Sequence, residues 1–116
     1  MISAVKLQDA AHAPIGEHAL RPNTQTPGQT QASASLWDGK AGVRTGIWEA
    51  TGGTFEGTRD GFDEIVVIVD GSATITEPDG TVIEIAAGDV LVTPAGWVGT
   101  WTVHEKIRKV YFIATK

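Results

Sequence analysis

The sequence predicts an all-β fold, and three features between residues 64 and 101 support that prediction. Short apolar runs rich in β-branched residues, such as 65–69, have the length of strands and lack helical periodicity. Turn signals follow them at 78–80 (Pro-Asp-Gly), 88–89 (Gly-Asp) and 94–96 (Pro-Ala-Gly). The chain also has 14 glycines in 116 residues, which suits many tight turns better than long helices.

The predicted strands follow one another from residue 34 to the end of the chain. A turn at 38–39 ends the first strand, a bend or bulge falls at 52–53, and a further turn is expected at Gly71. The run from 62 to 69 is almost continuously apolar, as expected for a strand covered on both faces. The expected total is roughly eight to ten strands, and the main ones lie at 34–37, 43–50, 62–69, 73–76, 82–85, 90–93, 97–103 and 107–115.

Residues 1–31 differ in composition from the rest of the chain, with turn-forming residues and few large apolar side chains. We therefore predict an extended N-terminal arm (residues 1–31) that is not a domain, followed by a β-barrel over residues 32–116. The arm is either a loosely held terminus or a segment that adds a strand to the sheet edge of a neighbouring subunit.

Composition excludes several classes of function. A net charge of −5 without a Lys/Arg cluster argues against a nucleic-acid-binding surface. The absence of cysteine excludes disulfides and thiol catalysis. The N-terminus lacks the apolar run of a signal peptide, and no segment is long enough to span a membrane. One domain in the cytoplasm, with neither nucleic-acid nor membrane partners, is the expectation.

Two spacings carry a resemblance to a known family. Glu64 is followed by six residues and then Gly71, and Gly88 by five residues, Pro94, one residue and Gly96. Together they resemble the tail of the first and the head of the second cupin motif. The ending from residue 99 to 113 is similar to the short single-domain branch that includes ethanolamine-utilisation and ureidoglycine-aminohydrolase-like cupins, many without assigned activity. The resemblance begins near residue 42 and implies a double-stranded β-helix, the jelly-roll cupin barrel.

The resemblance also implies where metal ligands would lie. In metal-holding cupins a His-x-His pair precedes the glutamate and a third histidine follows the second motif. The pair maps onto Thr58 and Asp60, or onto Gly57 and Arg59 with a longer gap, and the third position is Gly99; none of these residues is histidine. Of the four ligands only Glu64 remains, so no tightly bound metal is expected. The weak alternative is a divalent cation of the Mn or Mg type, held by Glu64 and Asp60.

The three histidines offer no replacement for the missing ligands. His12 and His18 fall in the arm, where solvated side chains are expected. His104 lies five residues beyond Gly99, so strand alternation places it on the opposite face, where Glu105 is the expected neighbour.

Glu64 is the tentative catalytic residue. If it points inward, as in the family, its buried carboxylate needs a partner, for which Arg59, indole N–H groups and Tyr111 are candidates. Three roles remain open for it: a satisfied structural glutamate, a ligand anchor or general acid/base, and a weak metal ligand.

Aromatic residues complete the predicted pocket. Gly99 leaves space at the third histidine position, and Trp101, two residues later, shares its face. Trp101 is either a core filler or a stacking wall for a small planar ligand, with its N–H as an orienting donor. Phe62 and Trp48 are further candidates, whereas Arg108 and Lys109 are expected to form surface salt bridges and are left out of the site. The predicted ligand-binding residues are Trp101, Arg59, Phe62, Trp48 and Tyr111.

Three hypotheses for the function follow. The first is a small-molecule-binding cupin that holds a small polar metabolite inside its barrel without a tightly bound metal; whether it catalyses a reaction is left open. The second is a metal-dependent enzyme of the Mn or Mg type acting on such a metabolite. The third is a structural or assembly module with a filled barrel. A homodimer is expected under all three, since a jelly roll has edges and apolar faces to cover.

Overall fold

The computed structural model describes all residues from Met1 to Lys116 and consists of strands without helices. The all-β prediction is therefore confirmed. The seven strands are β1 (Ala19–Leu20), β2 (Thr30–Asp38), β3 (Val43–Thr58), β4 (Phe62–Thr76), β5 (Val82–Ala86), β6 (Val90–Thr93) and β7 (Val98–Thr115).

All strand pairs are antiparallel and belong to one curved sheet. The order is β1-β2-β3-β7-β4-β5, and β6 pairs with the first half of β4. The two longest strands are β3 and β7. They pair along almost their whole length, from Val43 opposite Ala114 to Thr58 opposite Val98. β4 pairs with β7 on one side, and on its other side with β6 and then β5. The long central strands thereby curve around one interior.

The structure has fewer and longer strands than the roughly eight to ten predicted. The predicted strands 62–69 and 73–76 form a single strand, because Gly71 makes a bulge and not a turn. Its φ of +80° and a Lys106 carbonyl oxygen 2.0 Å from any added Cβ admit only glycine there. The predicted bend at Gly52 and Gly53 is likewise a register shift within β3, and 97–103 and 107–115 merge into β7.

The predicted short turns are present. Gly80 N–H donates to the Glu77 carbonyl in the β4–β5 turn, and Asp89 N–H donates to the Ala86 carbonyl between β5 and β6. Trp97 N–H donates to the Pro94 carbonyl just before β7. These turns set the register that places alternate side chains inside the barrel.

The apolar core fills one end of the interior. Nine buried residues form it: Phe55, Val66, Ile68, Ala73, Ile75, Ile85, Trp101, Val103 and Ile107. Val66, Ile68 and the other inward residues of β4 alternate with more exposed ones, as one face of a pleated strand requires.

The arm lies against its own sheet. β1 pairs with β2, which already begins at Thr30, two residues before the predicted start of the barrel. The carbonyls of Ala10 and Ala13 accept hydrogen bonds from Arg108 on β7. The predicted exchange of the arm with a second subunit stays a prediction.

Candidate ligand-binding site

An open cavity of about 390 Å³ lies beside the core, between β3, β4, β7 and the residue that follows β1. The six residues predicted from the sequence to form the site all line it: Glu64, Trp101, Arg59, Phe62, Trp48 and Tyr111. Other lining residues include Arg21, Arg44, Phe55, Glu56, Gly57 and Lys109. The interior is therefore only partly filled by side chains.

Glu64 projects inward and is held by two cations. Its Oε1 lies 2.8 Å from an Arg59 guanidinium nitrogen and 3.4 Å from Lys109 Nζ. All three residues are less than a tenth exposed. The pairing with Arg59 predicted from the sequence is thus present, and the desolvated carboxylate has charged partners, as a buried ion requires.

Arg59 is fixed by neighbours on three sides. Its Nε donates to Thr93 Oγ1 at 2.9 Å, and a terminal nitrogen donates to the Thr58 carbonyl at 3.0 Å. Its guanidinium lies over the ring of Trp97, 5.4 Å from the centroid. In the mapping by resemblance this residue stands at one of the histidine positions, so a permanent cation takes the place of a metal ligand.

Lys109 lies between two indoles. Its Nζ is 4.7 Å from the ring centroid of Trp48 and 4.9 Å from that of Trp101. Burial lowers the pKa of Lys109, and the positive charges of Arg59 and Arg21 lower it further, whereas Glu64 opposes them. The expectation of a surface lysine was wrong.

The aromatic wall of the cavity is continuous with the core. Phe55 and Trp101 stack with their planes 12° apart, and Trp48 meets Phe55 edge-on. Arg21 lies over Phe55 with 3.8 Å between guanidinium carbon and ring centroid. Trp101, 1% exposed, is therefore both a core residue and a lining residue.

Two buried donors have no partner within the protein: Nε1 of Trp101 and Nε of Arg21. Both residues line the cavity. A buried N–H without an acceptor costs free energy, and the only two such side-chain atoms in the chain belong to residues of this one cavity.

The space expected at Gly99 is taken by Trp97. A Cβ at Gly99 would lie 2.3 Å from a Trp97 ring carbon, and the indole N–H donates to Glu77 at 3.0 Å. Gly99 thus accommodates a neighbouring ring, and the expectation that it leaves room for a ligand was wrong.

Asp60 and the three histidines lie outside the cavity. Asp60 is exposed and does not line the cavity with Glu64. His12 pairs with Asp9, His18 with Glu49, and the half-exposed His104 with Ser72 and Thr74 in place of Glu105. No group of three or more His, Cys, Asp or Glu residues is arranged to hold a metal ion.

A second cluster of ions lies on the opposite face of the same strands. Glu49 accepts from Arg108 Nε at 2.8 Å and contacts His18 Nε2 at 2.6 Å. Burial acts to raise the pKa of Glu49, but the hydrogen bonds from His18 and Arg108 outweigh it and leave that pKa lowered. Arg108 also donates to the carbonyls of Ala10 and Ala13 at 3.0 and 2.7 Å.

Sequence reasoning missed Lys109 and Arg21. A signal existed for Lys109: it lies eight residues after Trp101 on one strand, and an even spacing places both on one face. Arg21 follows the two-residue strand β1, which is too short to give a periodic pattern in the sequence.

The chain belongs to the EutQ-like cupin domain family, whose model matches residues 37–111. This confirms the resemblance inferred from the two motif spacings. No curated protein sequence matches the chain. The comparison assigns the family, and with it no specific activity or ligand.

Solved structures support the same fold. The chain is 24% identical to the EutQ protein of Clostridium difficile, with a TM-score of 0.69, and the match covers 82% of this chain and 75% of that one. A putative ethanolamine utilization protein from Salmonella typhimurium is 16% identical with a TM-score of 0.70, covering 97% and 93%. The predicted jelly-roll cupin fold is thus confirmed.

A third structure is a protein of unknown function from Pseudomonas syringae, of the DUF861 family. It is 19% identical to this chain with a TM-score of 0.74, and the match covers 87% of this chain but 43% of that protein. At these identities the comparisons establish fold and no more. The structure contains no helix that is long and apolar enough to cross a membrane.

Proposed function

We propose that this cupin binds a small organic anion in its cavity, without a tightly held metal. The observation that carries the proposal is the pair of buried donors without partners, Trp101 Nε1 and Arg21 Nε, both in residues that line one cavity. A carboxylate or similar oxyanion supplies the acceptors that these donors lack.

The charges around the cavity favour an anion. Three guanidinium groups line it, from Arg21, Arg44 and Arg59, together with the amino group of Lys109, against two carboxylates, Glu56 and Glu64. The excess is local, because the whole chain carries a net charge of −5. A cavity with such a cationic lining concentrates anions from solution.

The same lining does not suit a divalent cation. Glu64 is already paired with the Arg59 guanidinium at 2.8 Å, which repels a second cation, and it contacts the Lys109 amino group at 3.4 Å. Asp60, the other half of the alternative pair, does not line the cavity. We derive no metal-dependent step from these residues.

The volume and the aromatic wall limit the ligand further. A cavity of about 390 Å³ has the size of sites for small metabolites. The stacked rings of Phe55 and Trp101 provide an apolar wall for a small body attached to the anionic group.

Thermal-shift titrations with small carboxylates and their size-matched neutral amides test the proposal, each run with a chelator and with added Mn²⁺. We expect the acids to raise the melting temperature and the amides to have little effect. Equal stabilisation by amides, or stabilisation by Mn²⁺ with none by acids, would overturn it.

A matched pair of variants locates the site. Arg44 lines the cavity but is exposed, so Arg44→Gln should weaken acid binding several-fold without unfolding the protein. Lys40 is an exposed cation outside the cavity, and Lys40→Gln should leave binding unchanged. If both variants bind acids like the parent chain, the anion is held elsewhere.

We also propose that the protein is a homodimer acting in the cytoplasm. Support for the dimer comes from exposed apolar side chains that lie opposite one another on neighbouring strands. In order across the sheet, the row is Trp37, Thr45, Phe112, Ile65 and Val92, and all but Thr45 are exposed apolar residues. Opposed residues share a face of the sheet, so these form one row that a second copy can cover.

Sedimentation equilibrium tests the dimer. Phe112→Asp should shift the protein to monomers, whereas Val5→Asp, at an exposed arm position, should not. A monomeric parent chain would refute it. Fractionation of source cells tests the compartment.

A further inference from the structure

Lys109 is a primary amine buried in the wall of the cavity. It is 8% exposed, and its Nζ has the Trp48 and Trp101 rings at 4.7 and 4.9 Å and one carboxylate oxygen at 3.4 Å. A lysine at this depth is unusual, because desolvation of an ammonium ion is costly. Its position calls for more than the charge balance of Glu64, which Arg59 already provides.

The surroundings favour the neutral form of this amine. Arg59 lies closer to Glu64 than Lys109 does, at 2.8 against 3.4 Å, and keeps its charge at every relevant pH. Burial lowers the pKa of Lys109, and Arg59 and Arg21 add to this effect. A desolvated lysine beside another cation is the usual form of a nucleophilic amine.

We infer that Lys109 forms a reversible imine with a small oxo acid, whose carboxylate is the anion that the cavity binds. The inference rests on the proposed function, because the carboxylate is what brings the carbonyl into the cavity. The combination of one amine with surrounding guanidinium groups selects a ligand that carries both a carbonyl and an acidic group.

Formation of this imine requires neither an oxidant nor a cofactor. The nitrogen lone pair attacks the carbonyl carbon, a proton moves from nitrogen to oxygen, and a carbinolamine forms. Loss of the hydroxyl as water, with a second proton, leaves the C=N bond. Glu64 contacts the nitrogen and is the group placed to accept a proton from it and return it to the leaving oxygen. Hydrolysis reverses the sequence.

Lys106 on the same strand provides an internal control. It is 69% exposed and pairs with Asp70 at 2.9 Å, and that hydrogen bond raises the pKa of Lys106. When the pKa of an amine falls by one unit, its neutral fraction at a pH below that pKa increases about tenfold. The amine of Lys109 should therefore be much more reactive than that of Lys106.

Reductive trapping tests the inference. The full chain is incubated near neutral pH with glyoxylate or pyruvate and sodium cyanoborohydride, and the adducts are located by peptide mass mapping. We expect one dominant adduct, on Lys109, formed several-fold faster than on Lys106. Lactate, which has the carboxylate without the carbonyl, should compete with this labelling and form no adduct itself.

The outcomes separate the inference from the proposed function. If lactate raises the melting temperature but no adduct concentrates on Lys109, the imine is refuted and the anion site stands. If neither lactate nor the oxo acids stabilise the protein, the anion site itself fails. Labelling spread evenly over Lys6, Lys40, Lys106, Lys109 and Lys116 also refutes the imine.

Lys109→Arg adds a second measure. It keeps a cation beside Glu64 and should abolish the dominant adduct while still binding lactate. If this variant fails to fold, the location of the adducts by peptide mass mapping on the parent chain still decides the question.

Discussion

On each face of the sheet around β7, one glutamate is held by two basic side chains, and the two clusters have different uses. Inside the barrel, Glu64 is held by Arg59 and Lys109; on the opposite face, Glu49 is held by Arg108 and His18. Strand alternation produces the pair, since Trp48 opposite Lys109 faces in and Glu49 opposite Arg108 faces out.

The difference lies in which donors remain free. On the outer face, Arg108 donates from its one remaining guanidinium nitrogen to two carbonyls of the arm, and His18 contacts Thr30 with its second ring nitrogen. The cavity instead contains two donors without partners. The outer cluster also lines a cavity, of about 420 Å³, so the donors without partners, and not the charges or the open volume, are what led us to propose the site inside the barrel.

The largest expected effect comes from Glu64→Gln. This change leaves the buried Arg59 without a full counter-charge and should lower the free energy of unfolding by about 3–5 kcal/mol. Urea titration measures it. Glu84→Gln, at an exposed glutamate of β5, is the control and should change little. Equal losses in the two variants would show that the interior cluster does not stabilise the barrel.

Arg108→Met should have the next largest effect, about 2–3 kcal/mol, because Glu49 and two arm carbonyls lose their donor. Hydrogen exchange should accelerate at residues 9–13, whereas acid binding in the cavity should persist. A loss of acid binding with unchanged exchange would reverse the roles we assign to the two faces.

Glu49→Gln should cost about 1 kcal/mol at neutral pH. The pKa of Glu49 is lower in the folded chain than its ordinary value of 4.5, so its ionised form stabilises the fold above that value. The contribution is lost as the pH falls through the folded-state pKa. The difference in unfolding free energy between the parent chain and the variant should therefore become smaller as the pH is lowered. Unfolding curves from pH 7 to pH 3 measure it. A difference that becomes larger in acid would contradict the stabilising role of the ionised carboxylate.

Lys106→Ala should have the smallest effect. Its ion pair with Asp70, at 2.9 Å, is shorter than that of Lys109 with Glu64, but both partners are exposed. Solvent screens such a pair, so the unfolding free energy should stay within measurement error. A clear loss would show that distance outweighs burial in this sheet.

The sequence was sufficient for the fold and for much of the cavity lining. The turn residues predicted the strands, and the resemblance to the cupin motifs implied the jelly roll. That resemblance, with strand alternation, placed Glu64, Arg59 and Trp101 together. Alternation failed at Gly71, because a bulge in one strand resembles a turn between two until the partner strand is known. Arg21 reaches the cavity through tertiary pairing of β1, which leaves no local pattern.

The adjacency of Arg108 and Lys109 constrains how this sheet can change. The pairing register of β7 with β3 shifts between Val103 and Lys106. Inserting or deleting one residue between that shift and Arg108 would exchange the two side chains, sending the guanidinium inward and the amine towards the arm. Pocket chemistry and attachment of the N-terminus would then be altered by the same event. A one-residue length change there keeps the two faces intact only if a bulge absorbs it, so redesign of either face should proceed by substitution.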